Sequence, residues 1–139
     1  MIIYLAHPAK HMDKGKTLQA ALENEGYEVK NPFDQDSYAR AITELWDKHP
    51  KVRTKKGVAE LVVEKDLDSI DKCDTVVAYV VEPSIGTSME IHYAYSINKA
   101  VFILSNEISP WLMYHGTVIK NVKKLLDLLR LKSCISESH

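Results

Sequence analysis

The run Thr75-Val76-Val77-Ala78-Tyr79-Val80-Val81 is apolar and rich in β-branched side chains, and Glu82-Pro83-Ser84 breaks it. A strand with no polar alternation is buried on both faces, which is the situation of a central strand in a parallel sheet. The residues that follow, from Ser84 to about Ile97, read as a helix with Ser84 or Thr87 as candidate cap. Outward from this strand–helix unit the pattern repeats. Ile2 to Ala6 and Ala100 to Leu104 are further buried strands, Tyr27 to Lys30 is a short strand stopped by Asn31-Pro32, and Thr117 to Ile119 is a short last strand. Between them lie helical segments. Lys16 to Asn24 carries Leu18, Ala21 and Leu22 at helical spacing, with Gly26 as its C′ residue. Ser37 to Trp46, Lys56 to Ile70 and Asn121 to Leu131 complete the set, the last with Val122, Leu125, Leu126 and Leu129 expected inward.

Strands alternating with helices predict an α/β fold. The expected architecture is a single doubly wound parallel sheet in a Rossmann- or flavodoxin-like three-layer sandwich, one domain over residues 1–139. Such sheets bind ligands beyond the carboxyl ends of their strands. That rule points to His7-Pro8, to Asn31-Pro32-Phe33-Asp34, and to Glu82 through Glu90.

Composition narrows the function. The 139 residues are 45% apolar and 27% charged, with a net charge of −1, so no basic field invites nucleic acid. The apolar runs are too short to span a bilayer, and the opening Met1-Ile2-Ile3-Tyr4 lacks a basic leader, so no membrane segment or signal peptide is expected. Cys73 and Cys134 form no CxxC pair and have no histidine cluster around them. The expectation is a reduced cytoplasmic protein with no metal and no cofactor. The basic stretch Lys48-His49-Pro50-Lys51-Val52-Arg53-Thr54-Lys55-Lys56 reads either as a solvated loop or as a lid for an anionic ligand.

Two acids stand out. Asp66 lies four residues after Val62 and four before Ile70, on the apolar stripe of its helix. A carboxylate there is either a structural acid with a nearby partner or a proton donor with a raised pKa. Glu90 sits about one turn into the helix after the central strand, behind the small, hydroxyl-rich Ser84-Ile85-Gly86-Thr87-Ser88. It is either an ordinary surface glutamate or a reactive group at the ligand edge. Glycosidic cleavage uses two such carboxyls, one at the anomeric carbon and one protonating the departing group. Lesser candidates are His92, read as a packing or interface histidine, Tyr93 and Tyr95, read as packing residues, and Trp111 with Tyr114 and His115, read as an aromatic wall or as core and interface.

These residues carry a resemblance. Asp66 with Asp74-Thr75-Val76-Val77-Ala78, then Gly86-Thr87-Ser88-Met89-Glu90-Ile91-His92-Tyr93-Ala94, then Lys99 before a strand, is similar to the nucleoside 2-deoxyribosyltransferase family. The opening Ile3-Tyr4-Leu5-Ala6-His7-Pro8 also resembles that family's start. The family includes 2′-deoxynucleoside 5′-monophosphate N-hydrolases. The resemblance implies a nucleoside or nucleotide substrate, with Glu90 as nucleophile and Asp66 as the acid facing the base. It implies that Tyr4, His7, Ser84, Gly86 and Thr87 line the substrate pocket. It further implies a homodimer or larger homo-oligomer in which Asn106, Ser109 and Trp111 serve a neighbouring subunit.

Two departures leave the reaction open. Ser84 stands where the transferases carry an Asp that reads the sugar, and matches the hydrolases' Pro-Ser-x-Gly, whose Ser contacts a 5′-phosphate. Conversely, the hydrolases' Gly- and Ser-rich first loop is replaced by His7-Pro8-Ala9-Lys10-His11, leaving Lys10, His11 or Lys14 to supply positive charge. Deoxyribosyl transfer, monophosphate hydrolysis and a non-catalytic nucleotide-binding module are the three readings, and the presence of both acids weighs against the third.

Overall fold

The computed structural model describes residues 1–33, 55–82, 84–106 and 109–137. The chain runs β1 (Ile2–Ala6), a 3-10 turn (Ala9–His11), α1 (Met12–Asn24), β2 (Glu28–Lys30), α2 (Lys55–Lys72), β3 (Thr75–Tyr79), α3 (Ile85–Ser96), β4 (Ala100–Leu104), α4 (Pro110–His115), β5 (Thr117–Ile119) and α5 (Val122–Glu137). The strands form one sheet in the order β2-β1-β3-β4-β5, and every pairing is parallel. This is the flavodoxin-like order, in which the chain reverses its direction of winding between β1 and β3. The register sets Tyr4 opposite Val76 and Ala6 opposite Ala78.

Alternation along the strands sorts the core into two layers. Tyr4, Ala6, Val76, Ala78, Val101 and Ile103 face one side, with Ile70 of α2 and with Ile91 and Ala94 of α3. Ile3, Leu5, Val77 and Leu104 face the other, with Leu18 and Leu22 of α1 and Leu125 and Leu129 of α5. Both faces of the sheet are therefore covered, as the unalternated strands require. Among the described residues no helix is long and apolar enough to cross a membrane.

Several boundaries differ from the sequence reading. The central strand stops at Tyr79, because Val80 and Val81 leave the ladder beyond their last partner: the Val80 amide still donates to the Leu104 carbonyl at 3.0 Å, while Val81 is exposed. α1 begins at Met12 rather than Lys16, since the 3-10 turn at Ala9–His11 leads straight into it. α5 continues past Leu131 to Glu137, with no breaker to end it, and Val122 at its first position is exposed rather than inward. α4 went unread in a short segment, though Pro110 at its start is a favoured first-turn residue. Ser84 does occupy the N-cap of α3, but its side chain makes no capping hydrogen bond, and Thr87 lies buried inside the first turn. The helix expected at Ser37 to Trp46, Asp34, and the basic stretch up to Thr54 lie outside the described residues; Lys55 and Lys56 open α2.

Two glycines have structural reasons. Gly26, with φ of 92°, ends α1 in the left-handed region, as its C′ position requires. Gly15 lies under the buried His7 ring, where an added Cβ would come within 2.5 Å of Nε2. In an ordinary helix interior Gly→Ala is stabilising by roughly 1 kcal/mol. Here the ring is held on both sides, so Gly15→Ala is expected to lower unfolding free energy by about 1–3 kcal/mol through overpacking. Urea unfolding checks this, and an unchanged or raised midpoint would contradict it.

Candidate active site

α3 starts at the carboxyl edge of β3, so its first turns stand over the crevice beside the β1–β3 reversal point. Thr87, Ile91 and Ala94 are its buried residues and face the sheet. Glu90, three residues after Thr87 and next to Ile91, is turned toward the same side and is partly buried. In the middle of β1, Tyr4 is 1% exposed, and its phenol donates a hydrogen bond to the Glu90 carboxylate. Tyr4 also lines a small cleft with Asn31, Pro32, Lys65, Asp66 and Ser69. The two acids thus lie on one side of the sheet with Tyr4 touching the surroundings of both.

The electrostatics follow from this enclosure. Burial pushes the Glu90 carboxyl up to about 7; the Tyr4 hydroxyl pulls against that shift, and the charge of Asp66 adds to it. Burial likewise pushes Asp66 up to about 6, against the opposing charge of Lys65. The pair therefore exchanges protons close to neutrality, where one carboxyl can hold a proton while the other is ionised. Since Glu90 is raised the further of the two, the shared proton rests mainly on Glu90 in the empty site, and the form with Asp66 protonated and Glu90 ionised is the less populated one.

Around these acids the first turn of α3 is open. An added Cβ on Gly86 would meet nothing within 4 Å, and Ser84 is partly buried beside it. The amides of a first helical turn have no intrahelical acceptor and attract negative charge.

The other sequence candidates are placed differently. His7 follows the opposite alternation from Tyr4 and is 2% exposed. Its Nε2 is 2.9 Å from Asn31 Oδ1, its Nδ1 is 3.1 Å from the Pro8 carbonyl, and its ring packs on Phe33 and over Gly15. The structure does not bring it together with Glu90. Lys10 and His11 both turn to one oxygen of Glu82, at 2.7 and 3.1 Å, while Lys14 is exposed on α1. Asn106 is exposed at a depression shared with Tyr79, Lys120 and Asn121. Ser109 is the N-cap residue of α4. Trp111 is 78% exposed and lines a groove with Ser88, Met89 and His92 on α3. None of these three reaches the Tyr4–Glu90 pair within the chain. His92 pairs with His115, Nδ1 to Nε2 at 2.9 Å. Tyr93 bonds to Asp71 and Tyr95 packs on Tyr114.

Two features escaped the sequence reading. Asn31 joins His7 to Gln19 by side-chain hydrogen bonds, and Glu82 gathers Lys10 and His11 of the first loop. Both are contacts between segments far apart in sequence, for which spacing gives no signal. The motif lysine, Lys99, donates to the carbonyls of Asp71 and Cys73 at 2.9 and 2.7 Å, so it finishes α2 rather than entering the cleft. A larger hollow opens at the other edge of the sheet, by Met1, Tyr27, Asp74 and the Arg130–Glu25 ion pair. There Arg130 holds the Glu25 carboxyl below its ordinary range. Among the described residues no group of three or more His, Cys, Asp and Glu is arranged to hold a metal ion.

The family model for nucleoside 2-deoxyribosyltransferase matches residues 3–129. No curated protein matches the chain. The solved 2-deoxyribosyltransferase of Bacillus psychrosaccharolyticus is 20% identical, with 90% of each chain covered and a TM-score of 0.63. The CMP N-glycosidase BcmB of Clostridium botulinum is 21% identical, with 94% of this chain and 99% of that one covered and a TM-score of 0.59. These two share the fold.

The raised carboxyls have a cost in stability. Glu90 ionises at 4.5 in an unfolded chain and at about 7 when folded. The folded state thus binds this proton more tightly, and the stabilisation is full below the lower value and lost as pH rises through the higher one. Glu90→Gln, which keeps the shape without the charge, is expected to stabilise the protein by about 1–3 kcal/mol more at pH 8 than at pH 5. Urea melts at the two pH values measure this. An equal change at both would mean that Glu90 is not buried as described.

Proposed function

Because the chain belongs to the nucleoside 2-deoxyribosyltransferase family, a family of enzymes of pentosyl transfer or hydrolysis, we propose that it cleaves the N-glycosidic bond of 2′-deoxynucleosides and transfers the deoxyribose to another base through a covalent intermediate on Glu90. The observation that carries this reading is the Tyr4–Glu90 hydrogen bond in a partly buried setting, with a second raised carboxyl, Asp66, within electrostatic reach. Neither acid has a structural ion pair to account for its burial among the contacts described for it.

The chemistry then runs as follows. The reactive form is the one with the pair's shared proton on Asp66: an oxygen of ionised Glu90 attacks C1′, and the C1′–N bond breaks with its electron pair going to the base. Asp66 gives that base its proton as the bond breaks. The incoming base attacks C1′ from the vacated side, its displaced proton returns to Asp66, and Glu90 leaves. Tyr4 holds the nucleophile in one rotamer and, by donating to its charged form, keeps it partly ionised at neutral pH. Ser84, Gly86 and Thr87 border the sugar at the first turn of α3, and the engaged ring of His7 supports the β1 end from behind. The reading includes no metal and no cofactor.

We further place the protein in the cytoplasm as a homodimer or larger homo-oligomer, in which Asn106, Ser109 and Trp111 of one copy approach the site of the next. The exposed Ile85, Met89, Trp111 and Tyr114 support an apolar contact there, at 81%, 69%, 78% and 68% exposure. A second reading, hydrolysis of nucleoside 5′-monophosphates, is favoured by Ser84 and by the open first turn of α3.

Incubation with deoxynucleosides and with their 5′-monophosphates, each with and without a second free base, tests the proposal. Base exchange on nucleosides is expected, and Glu90→Ala should lower it by on the order of 10³-fold or more. Release of base with free sugar phosphate would replace transfer by hydrolysis. No turnover of any substrate, or unchanged turnover in Glu90→Ala, would remove the mechanism.

A further inference from the structure

α4 is a helix of six residues, none of them buried, and ring contacts join it to α3. The His115 ring centroid stands 5.1 Å from that of His92 and 5.1 Å from that of Tyr95, and Tyr95 meets Tyr114 at 5.2 Å. Within this cluster His92 Nδ1 and His115 Nε2 are 2.9 Å apart. The other nitrogen of His115, Nδ1, lies 2.6 Å from the Trp111 carbonyl. A carbonyl only accepts, so Nδ1 carries the proton of the neutral His115 ring and Nε2 presents a lone pair. His92 Nδ1 is then the donor between the two rings. Both rings border two hollows that they share with Trp111.

Two nitrogens so placed are also a chelate. Imidazole nitrogens bind transition-metal ions at about 2.0–2.1 Å, so two on one ion lie about 2.9 Å apart across a right angle and about 3.3 Å apart across a tetrahedral one. The spacing between His92 and His115 matches the right angle of tetragonal nickel(II) or copper(II). The Trp111 carbonyl is the kind of acceptor that ligating histidines have on their second nitrogen, where it fixes tautomer and ring orientation. His92 is exposed, so its ring can turn to aim both lone pairs at one ion. It needs only to exchange tautomers, its proton passing from Nδ1 to Nε2. We infer that His92 and His115 form a two-imidazole site for a tetragonal divalent ion, nickel or copper, which clamps α4 to α3 while water completes the coordination. Neither Glu90 nor Asp66 takes part, so the site holds or fails independently of the proposed reaction.

Calorimetry of nickel(II) with wild type, His92→Ala and His115→Ala tests this. Wild type is expected to bind the ion, and each substitution to weaken that binding by about 10-fold or more, since disturbing even an outer partner of a metal ligand costs that much. Because the ion bridges two helices, it should also favour the folded state. At free nickel(II) 100 times the wild-type Kd, the folded-to-unfolded ratio from urea melts is expected to rise about 100-fold in wild type and no more than about 10-fold in either variant. His92 is exposed, so its replacement leaves the core intact and decides the matter even where His115→Ala fails to fold. Equal binding by wild type and His92→Ala would put the ion on other groups and overturn the site. So would absence of binding by wild type, or binding that leaves the urea midpoint unmoved.

Discussion

One hydrogen bond joins the centre of the sheet to the helix that stands over its edge. The Tyr4 phenol rises from the middle of β1, almost wholly enclosed, and ends on the Glu90 carboxylate of α3. For that contact to exist, β1 must lie beside β3 so that the helix following β3 passes over it, and the order β2-β1-β3-β4-β5 satisfies this. Tyr4 must also fall on the α2 and α3 side of the sheet, which the register of Tyr4 with Val76 fixes. A one-residue slip would send the phenol to the α1 side, where His7 now packs.

Burying an acid against a hydroxyl is an unfavourable arrangement for folding alone. The Glu90 and Asp66 carboxyls are each held above their ordinary range by loss of solvent, whereas the other described acids with shifted values, Glu25 and Glu82, are lowered by cationic partners. This contrast separates the two acids from the ion pairs at the surface. It gives them proton affinities suited to exchange near neutral pH, which a surface pair would lack.

Much of this was legible in the chain. Thr75 to Val81 and Ala100 to Leu104 announced central strands because unbroken apolar, β-branched runs have few other uses. Gly26 marked the end of α1 through its backbone freedom. Asp66 was visible as a charge on an apolar stripe, and the motif around Glu90 carried the family resemblance. The rest depended on contacts made across the fold. Alternation along β1 sends Tyr4 and His7 to opposite faces, but no local pattern says that Tyr4 reaches Glu90 across 86 residues of sequence or that His7 turns to Asn31. The clasp of Lys10 and His11 on Glu82 spans 71 or more residues. α4 escaped because a six-residue helix with no buried residue has no periodic stripe to read.

The central claim is that Glu90 bonds covalently to the sugar. Mass spectrometry of the protein quenched during turnover of a 2′-deoxynucleoside, with no acceptor base present, tests it most directly. The account predicts a deoxyribosyl adduct on the peptide carrying Glu90, absent in Glu90→Gln and discharged when a free base is added. An enzyme that turns over substrate with no adduct under any quench, or with the adduct on another residue, would contradict it.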